Sequence, residues 1–314
     1  MVVFLDFVAG GKGMNKRTFL ERVNEQGALV LDGATGTNLQ SRGLTKGLSA
    51  EVWVLEQPEK IVELAHDFIV AGADIILTCT FGASSIRLEH TSIKGMAEIV
   101  NRRAVELAQQ AVGDSPVLVA GSIGPTGQLL KPLGALIEAD AVRSYAEQAR
   151  YLAKAGVDLL VVETQFDLAE AKAALTGIRL VTNLPVVCSF SFDRGTRTMM
   201  GLKPVQVGNE ISPLGVAAIG INCGRSLEDN LKTMIELRSS TSLPIWFKPN
   251  AGLPQLDANG NSTYDISPEV MAAKVPEWIS SGAKLVGGCC GTSPEHLAAI
   301  AKEVHKSRQV TLSK

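Results

Sequence analysis

A short apolar, β-branched run followed by an amphipathic helical stretch recurs along the chain, and this alternation constrains the fold more than any other feature. Eight runs carry it: ALVLDGA (28–34), ADIILTCTF (73–81), VLVAGSI (117–123), DLLVVET (158–164), PVVCSFS (185–191), AAIGINC (217–223), PIWFKPN (244–250) and KLVGGCC (284–290). They are continuously apolar rather than alternating, as strands buried on both faces are. Helical patterns fill the intervals, among them 58–73, 93–112, 138–157, 168–183 and 226–240. In the third of these Ala141, Tyr145, Ala149 and Leu152 form an apolar stripe at helical spacing. The stretches 267–283 and 293–307 both open Ser-Pro-Glu, a capping residue, a proline at the first helical position and an early acid. The interval 203–214, bracketed by Pro204 and Pro213, has the weakest pattern. Several helical stretches stop at a glycine just before the next strand, in VAGAD, KAGVD and SSGAK.

Eight such units predict an α/β fold, a single closed (β/α)8 TIM barrel, typically about 250 residues long. A doubly wound open sheet is the alternative. The barrel is expected over residues 16–314. Residues 1–15 are expected to form an N-terminal extension, poorly ordered or a small added strand, because MNKRTFLERV from Met14 has the look of a more natural start. The opening MVVFLDFVAG carries Asp6 and no positive leader, so no signal peptide is expected. A reducing cytoplasm is therefore expected, where cysteines are likelier ligands or nucleophiles than disulfides.

Thirty basic against 32 acidic residues leave a net charge of −2, and aromatics make up 5% of the chain. Neither supports a nucleic-acid surface. No apolar run approaches the length of a transmembrane helix. GGKG at 10–13 lacks the spacing and the Ser/Thr of a phosphate-binding loop. The histidines do not cluster, and His66, His296 and His305 are expected at the surface of helices.

Chemistry in such a barrel gathers where the strands end. Asp32 follows strand one, Thr80 and Phe81 strand two, Glu163 strand four, and Asn222 with Cys223 strand six. Cys289 and Cys290 follow strand eight. Strands six and eight open on the same mouth, so three thiolates can meet there. Neighbouring residues of a strand face opposite ways, so Cys289 and Cys290 share one ion only if the strand breaks. Gly287, Gly288 and Gly291 supply that freedom. Three sulfurs suit tetrahedral Zn²⁺, bound by cysteine at about 2.3 Å, with a fourth position open to a soft ligand such as another thiol. Such a centre carries net negative charge and is a poor Lewis acid for a carbonyl. It still deprotonates a thiol, ordinarily of pKa about 8.5, and leaves a nucleophilic sulfur ready to attack a methyl group. Cys188 lies inside strand five and is expected in the core, with Cys79 near a strand end. Asp32 and Glu163 are candidates either for binding a substrate amine or for capping a neighbouring helix or loop.

LDGATGT, CTFGAS, GSIGPTG, ETQFDLAEAKAA, GINC, KPNAGLP and GGCCGT together resemble the homocysteine S-methyltransferase family, from about residue 16 to 305. ETQFD and NAGLP look most like the homocysteine-binding domain of cobalamin-dependent methionine synthase. The resemblance implies Zn²⁺ on Cys223, Cys289 and Cys290, with homocysteine sulfur in the fourth place. It also implies Asp32 and Glu163 on the amino group and backbone near Thr80 and Phe81 on the carboxylate; Asn222 joins this expected substrate-binding set. The sequence holds no second barrel and no Asp-x-His-x-x-Gly motif for a cobalamin. Methylcobalamin is therefore expected as an external donor on a separate corrinoid protein or domain. The alternatives are a small donor such as S-methylmethionine or betaine, a thiol other than homocysteine, and a non-catalytic, zinc-stabilised binding subunit.

Overall fold

Eight parallel strands stand where the apolar runs predict them: β1 (Leu29–Val30), β2 (Ile75–Leu77), β3 (Leu118–Ile123), β4 (Leu159–Gln165), β5 (Val186–Phe190), β6 (Ala218–Cys223), β7 (Ile245–Pro249) and β8 (Ala283–Val286). This description comes from a computed structural model and covers residues 17–25, 27–256 and 262–312; the expected extension over 1–15 lies outside them. Neighbours pair in ring order from β2 through β7 to β8 and β1. A parallel bridge between Leu31 and Ile75 joins β1 to β2 and closes the ring. The Asp74 N–H donates to Val30 O at 2.8 Å in the same seam. The open-sheet alternative is excluded.

Each strand is followed by a helix: α1 (Pro58–Val70), α2 (Ala97–Val112), α3 (Glu138–Ala155), α4 (Leu168–Arg179), α5 (Pro204–Ile211), α6 (Leu227–Arg238), α7 (Pro268–Ser280) and α8 (Pro294–Leu312). The weak interval 203–214 is helical after all, because Pro204 occupies the first turn, where its missing N–H costs nothing. Gly72, Gly156 and Gly282 follow α1, α3 and α7 at φ 103°, 93° and 113°, the left-handed conformation that stops a helix. Among the described residues no helix is long and apolar enough to cross a membrane.

The apolar side chains fall into two bodies. The larger lies between strands and helices and takes in Tyr145, Phe190, Phe247 and Trp278. The smaller fills the barrel, with Leu31, Ile75, Leu118, Val161, Trp246 and Leu285 buried inside it. A short helix, Phe19–Asn24, adds Phe19 and Val23 to this inner body. Its Arg22 guanidinium donates to Pro116 O and Asp74 O, just ahead of β3 and β2. The helix therefore plugs the N-terminal end of the barrel, leaving the other end for chemistry.

Candidate metal centre

Side chains alternate along a strand, so those facing the barrel axis are spaced by two. Followed toward the C-terminal end, the inward series change from apolar to polar. Leu159 and Val161 give way to Glu163, Val187 to Ser189, Ala218 to Asn222, and Trp246 to Lys248. These polar residues, with Ser122 and Asp32, are almost wholly buried beneath the mouth.

Above them stand the cysteines. The sulfurs of Cys223, Cys289 and Cys290 all lie within 4.8 Å of one another. Cys223 Sγ and Cys289 Sγ are 3.1 Å apart. Strand β8 ends at Val286, earlier than the apolar run suggests, and the chain turns at once. Cys289 N–H still donates to Pro249 O at 2.9 Å, while Thr292 donates back to Cys289 O through its N–H at 3.1 Å and its hydroxyl at 2.6 Å. The turn is what lets adjacent cysteines face one point. Hydrogen bonds shared first with Cys289 and then with Cys290 push the Cys223 thiol well above the ordinary range. Cys290, bonded first to Cys223 and then to Cys289, is held well below it. Three thiols this close compete for one negative charge, and a dication among them relieves the competition.

Cys223 reaches the cluster through left-handed backbone at φ 61°, and Thr164, at the end of β4, has φ 60°. Non-glycine residues rarely adopt this conformation, and a β-branched threonine least of all. One side chain holds both. Asn222 Oδ1 accepts from Thr164 N–H at 2.9 Å and from the Ser189 hydroxyl at 2.7 Å. Its Nδ2 donates to Thr164 Oγ1 at 2.7 Å and faces Cys223 Sγ at 3.6 Å and Cys289 Sγ at 3.9 Å. Its carbonyl oxygen and its amide hydrogens are thus engaged by Thr164, Ser189 and the sulfurs.

Asp32 is engaged by a residue that the sequence reading missed. Lys248 Nζ lies 2.5 Å from Asp32 Oδ1, and Leu77 N–H donates to Oδ2 at 2.7 Å. Burial pushes Asp32 up, opposed by Lys248. Burial works to discharge Lys248, but Asp32 and Glu163 outweigh it and hold its pKa above the ordinary value. Glu163 accepts from the Ser122 hydroxyl at 2.5 Å. Burial drives it up to about 7, against the pull of Lys248. The available signal was a lone lysine in the run PIWFKPN, two residues beyond the inward Trp246.

The remaining expectations divide. Thr80 is fully buried; its hydroxyl donates to Ser122 O at 2.7 Å and its N–H to Thr78 O at 2.9 Å. Phe81 is half-buried, with the Arg87 guanidinium 5.6 Å from its ring centre. Cys188 and Cys79 both sit in the outer core. His66 and His305 are exposed, but His296 is buried, because its ring bridges two backbone segments.

Zinc fits the donor set. Three soft sulfurs converge, and Asn250 keeps its Oδ1 buried without a hydrogen-bond partner. Asn250 is tied to the same corner, its N–H to Cys223 O at 3.3 Å and its Nδ2 to Gly224 O at 2.9 Å. Three thiolates are a ligand set that tetrahedral zinc takes.

Fold and site together define a class: a (β/α)8 barrel with a cluster of three thiols at its C-terminal mouth. A profile described as homocysteine S-methyltransferase matches residues 29–304, and the chain belongs to that family. It is 33% identical over 319 aligned residues to a methionine synthase of Mycobacterium tuberculosis. That match takes in 94% of this chain but only 26% of the relative, so the chain spans about a quarter of that protein's length. Among solved structures, the metallated homocysteine methyltransferase MmuM of Escherichia coli superposes with a TM-score of 0.76 at 26% identity, over 89% of this chain and 97% of that one. The apo form of the same enzyme gives 0.71 at 27% identity, over 91% and 98%.

Proposed function

We propose that the chain holds Zn²⁺ on Cys223, Cys289 and Cys290 and methylates homocysteine to methionine, taking the methyl group from a methylcorrinoid carried on another protein or domain. The observation carrying this reading is the convergence of three sulfurs within 4.8 Å at the barrel mouth of a chain in this family. When bound, the ion lowers the pKa of a coordinating thiol, ordinarily about 8.5, so that the substrate sulfur is nucleophilic at neutral pH. The cysteines fix where that sulfur stands, and Asn222 holds Cys223 and Thr164 in their left-handed conformations.

Glu163 and Asp32 receive the substrate's ammonium group. Asp32 already carries Lys248, so Glu163 is the freer partner, and an arriving cation holds it ionised. Backbone near Phe81 takes the carboxylate more readily than Thr80, whose N–H and hydroxyl are both engaged. Anchored at both groups, the homocysteine sulfur is presented to an incoming methyl group, which is catalysis by orientation as well as by charge.

A methyl-transfer assay with homocysteine tests this, comparing methylcobalamin, S-methylmethionine and betaine as donors, with other thiols as controls. Methionine formed from methylcobalamin is the expected result. A small methylated donor is the other outcome of that assay. Zinc X-ray absorption separates both from a non-catalytic subunit. The sulfur count rises from three to four on adding homocysteine if the site is catalytic and stays constant if it is not.

A further inference from the structure

Glu51 is a buried carboxylate, 5% exposed, in the short helical turn Ala50–Val52 between β1 and α1. A carboxylate withdrawn from water needs donors on both oxygens. Gly82 N–H donates to Oε1 at 2.5 Å, and the Ser49 hydroxyl donates to Oε2. The approach to Gly82 is close, since a Cβ built there falls 3.2 Å from each carboxylate oxygen.

Gly82 belongs to the loop that leaves β2, and the peptides around it are held from three further elements. Gln148 on α3 donates through Nε2 to Thr80 O at 2.8 Å. Gly124, just after β3, donates its N–H to Phe81 O at 2.9 Å. Asn101 on α2 donates through Nδ2 to Ala83 O at 2.8 Å. Gln148 and Asn101 are both fully buried. A Cβ built on Gly124 falls 2.6 Å from Phe81 O, so GSIGPTG needs a glycine where it passes this loop. The loop's own N–H groups are almost all spent. Thr80 N–H goes to Thr78 O at 2.9 Å, Gly82 N–H to Glu51, and Ala83 N–H to Thr80 O at 3.0 Å. Among the described residues, Phe81 N–H alone of 80–83 has no partner. Phe81 is also the one residue of 78–84 that is not buried.

We propose that Glu51 is a positioning residue for the substrate carboxylate: by binding Gly82 N–H it fixes the loop after β2 so that Phe81 N–H is the donor left for that group. The proposal rests on the reading above, in which homocysteine places its carboxylate on backbone near Phe81. A donor held in place before the ligand arrives costs little further ordering on binding. The N–H that Glu51 takes up is closed to the substrate, so the carboxylate is received at one neighbouring N–H and in one register.

The test is calorimetric binding of two thiols to the zinc-loaded full chain, homocysteine and aminopropanethiol, which is homocysteine without its carboxylate. Wild type, Glu51→Ala, Glu51→Asp and Glu51→Gln are compared, with circular dichroism monitoring the fold. Glu51→Ala leaves a buried N–H without its partner and is expected to weaken homocysteine about tenfold, with aminopropanethiol unchanged. Glu51→Asp keeps the charge but shortens the reach; it should show the same selective loss, and it decides the matter if the alanine variant does not fold. Glu51→Gln keeps an acceptor for Gly82 N–H and should bind homocysteine at least as tightly as wild type. Unchanged homocysteine binding in Glu51→Ala and Glu51→Asp overturns the proposal. So does equal weakening of both thiols, which is general damage to the loop, and so does a Glu51→Gln protein as weak as Glu51→Ala. A wild-type chain that binds neither thiol overturns the homocysteine reading itself, and the role of Glu51 with it.

Discussion

Cys289 is the residue on which the site turns, because its sulfur meets Cys223 at 3.1 Å while its carbonyl anchors the turn through Thr292. Cys289→Ala removes the first role and keeps the second. The expected protein binds at least a hundredfold less zinc, shows no methyl transfer and has an unchanged far-UV spectrum; retained activity would falsify the assignment of Cys289. Glu163 gives a pH prediction. Its pKa rises on folding from the ordinary carboxylate value to about 7. A raised acid pKa means that the folded state binds the proton more tightly than the unfolded one. The stability it contributes is complete below the unfolded value, about 4.3 for glutamate, and is lost as pH rises through about 7. Thermal melts of chelator-treated protein should fall over that window, and Glu163→Gln should flatten the fall. Residue types alone disclosed the three cysteines and both carboxylates, since thiols and acids at strand ends are costly without a use. They did not disclose which groups Asn222 hydrogen-bonds, because that depends on where Thr164 and Ser189 stand on other strands.

At the scale of elements, the strand-then-helix alternation was legible throughout, and its boundaries moved only where backbone conformation overruled composition. Strand β8 is the case with consequences, since GGCC shares its apolar character with KLV yet leaves the sheet. The helix Phe19–Asn24 is the opposite case. Six residues are too few to announce themselves by periodicity, and their stability comes from the capping box of Thr18 and Glu21 and from burial in the barrel's end. Phe19 is 1% exposed and packs with Val23 into the inner apolar body. Phe19→Ala should therefore cost about 3–5 kcal/mol in urea denaturation, with the zinc content of the folded protein unaffected. A loss below 1 kcal/mol would mean that the plug is dispensable.

For the whole molecule, the core is built from the closed ring of strands and its helices, and Cys223, Cys289 and Cys290 stand outside it at one rim. The metal should thus be needed for activity and not for folding, unlike the case of a small zinc domain. Stripping zinc with a chelator is expected to abolish methyl transfer, leave the circular dichroism spectrum intact and lower the melting temperature. Binding that is a thousandfold above its dissociation constant adds about 4 kcal/mol to the native state. Collapse of the spectrum on chelation would contradict this division between scaffold and site.

Sequence by itself determined the barrel, because eight doubly buried strands with helical crossovers have few other ways to cover their faces, and it determined the three sulfurs, because their residue type and strand-end positions are local facts. Tertiary structure alone decided the partners. Lys248 beside Asp32, Asn222 beneath two sulfurs, and His296 against Ile266 are pairings between strands and loops far apart in the chain. Such pairings arise from ring closure and from the turn after β8. Hydrogen bonds and ion pairs depend on distances of a few ångströms, and a one-dimensional spacing carries no information about which distant side chains closure brings within that range.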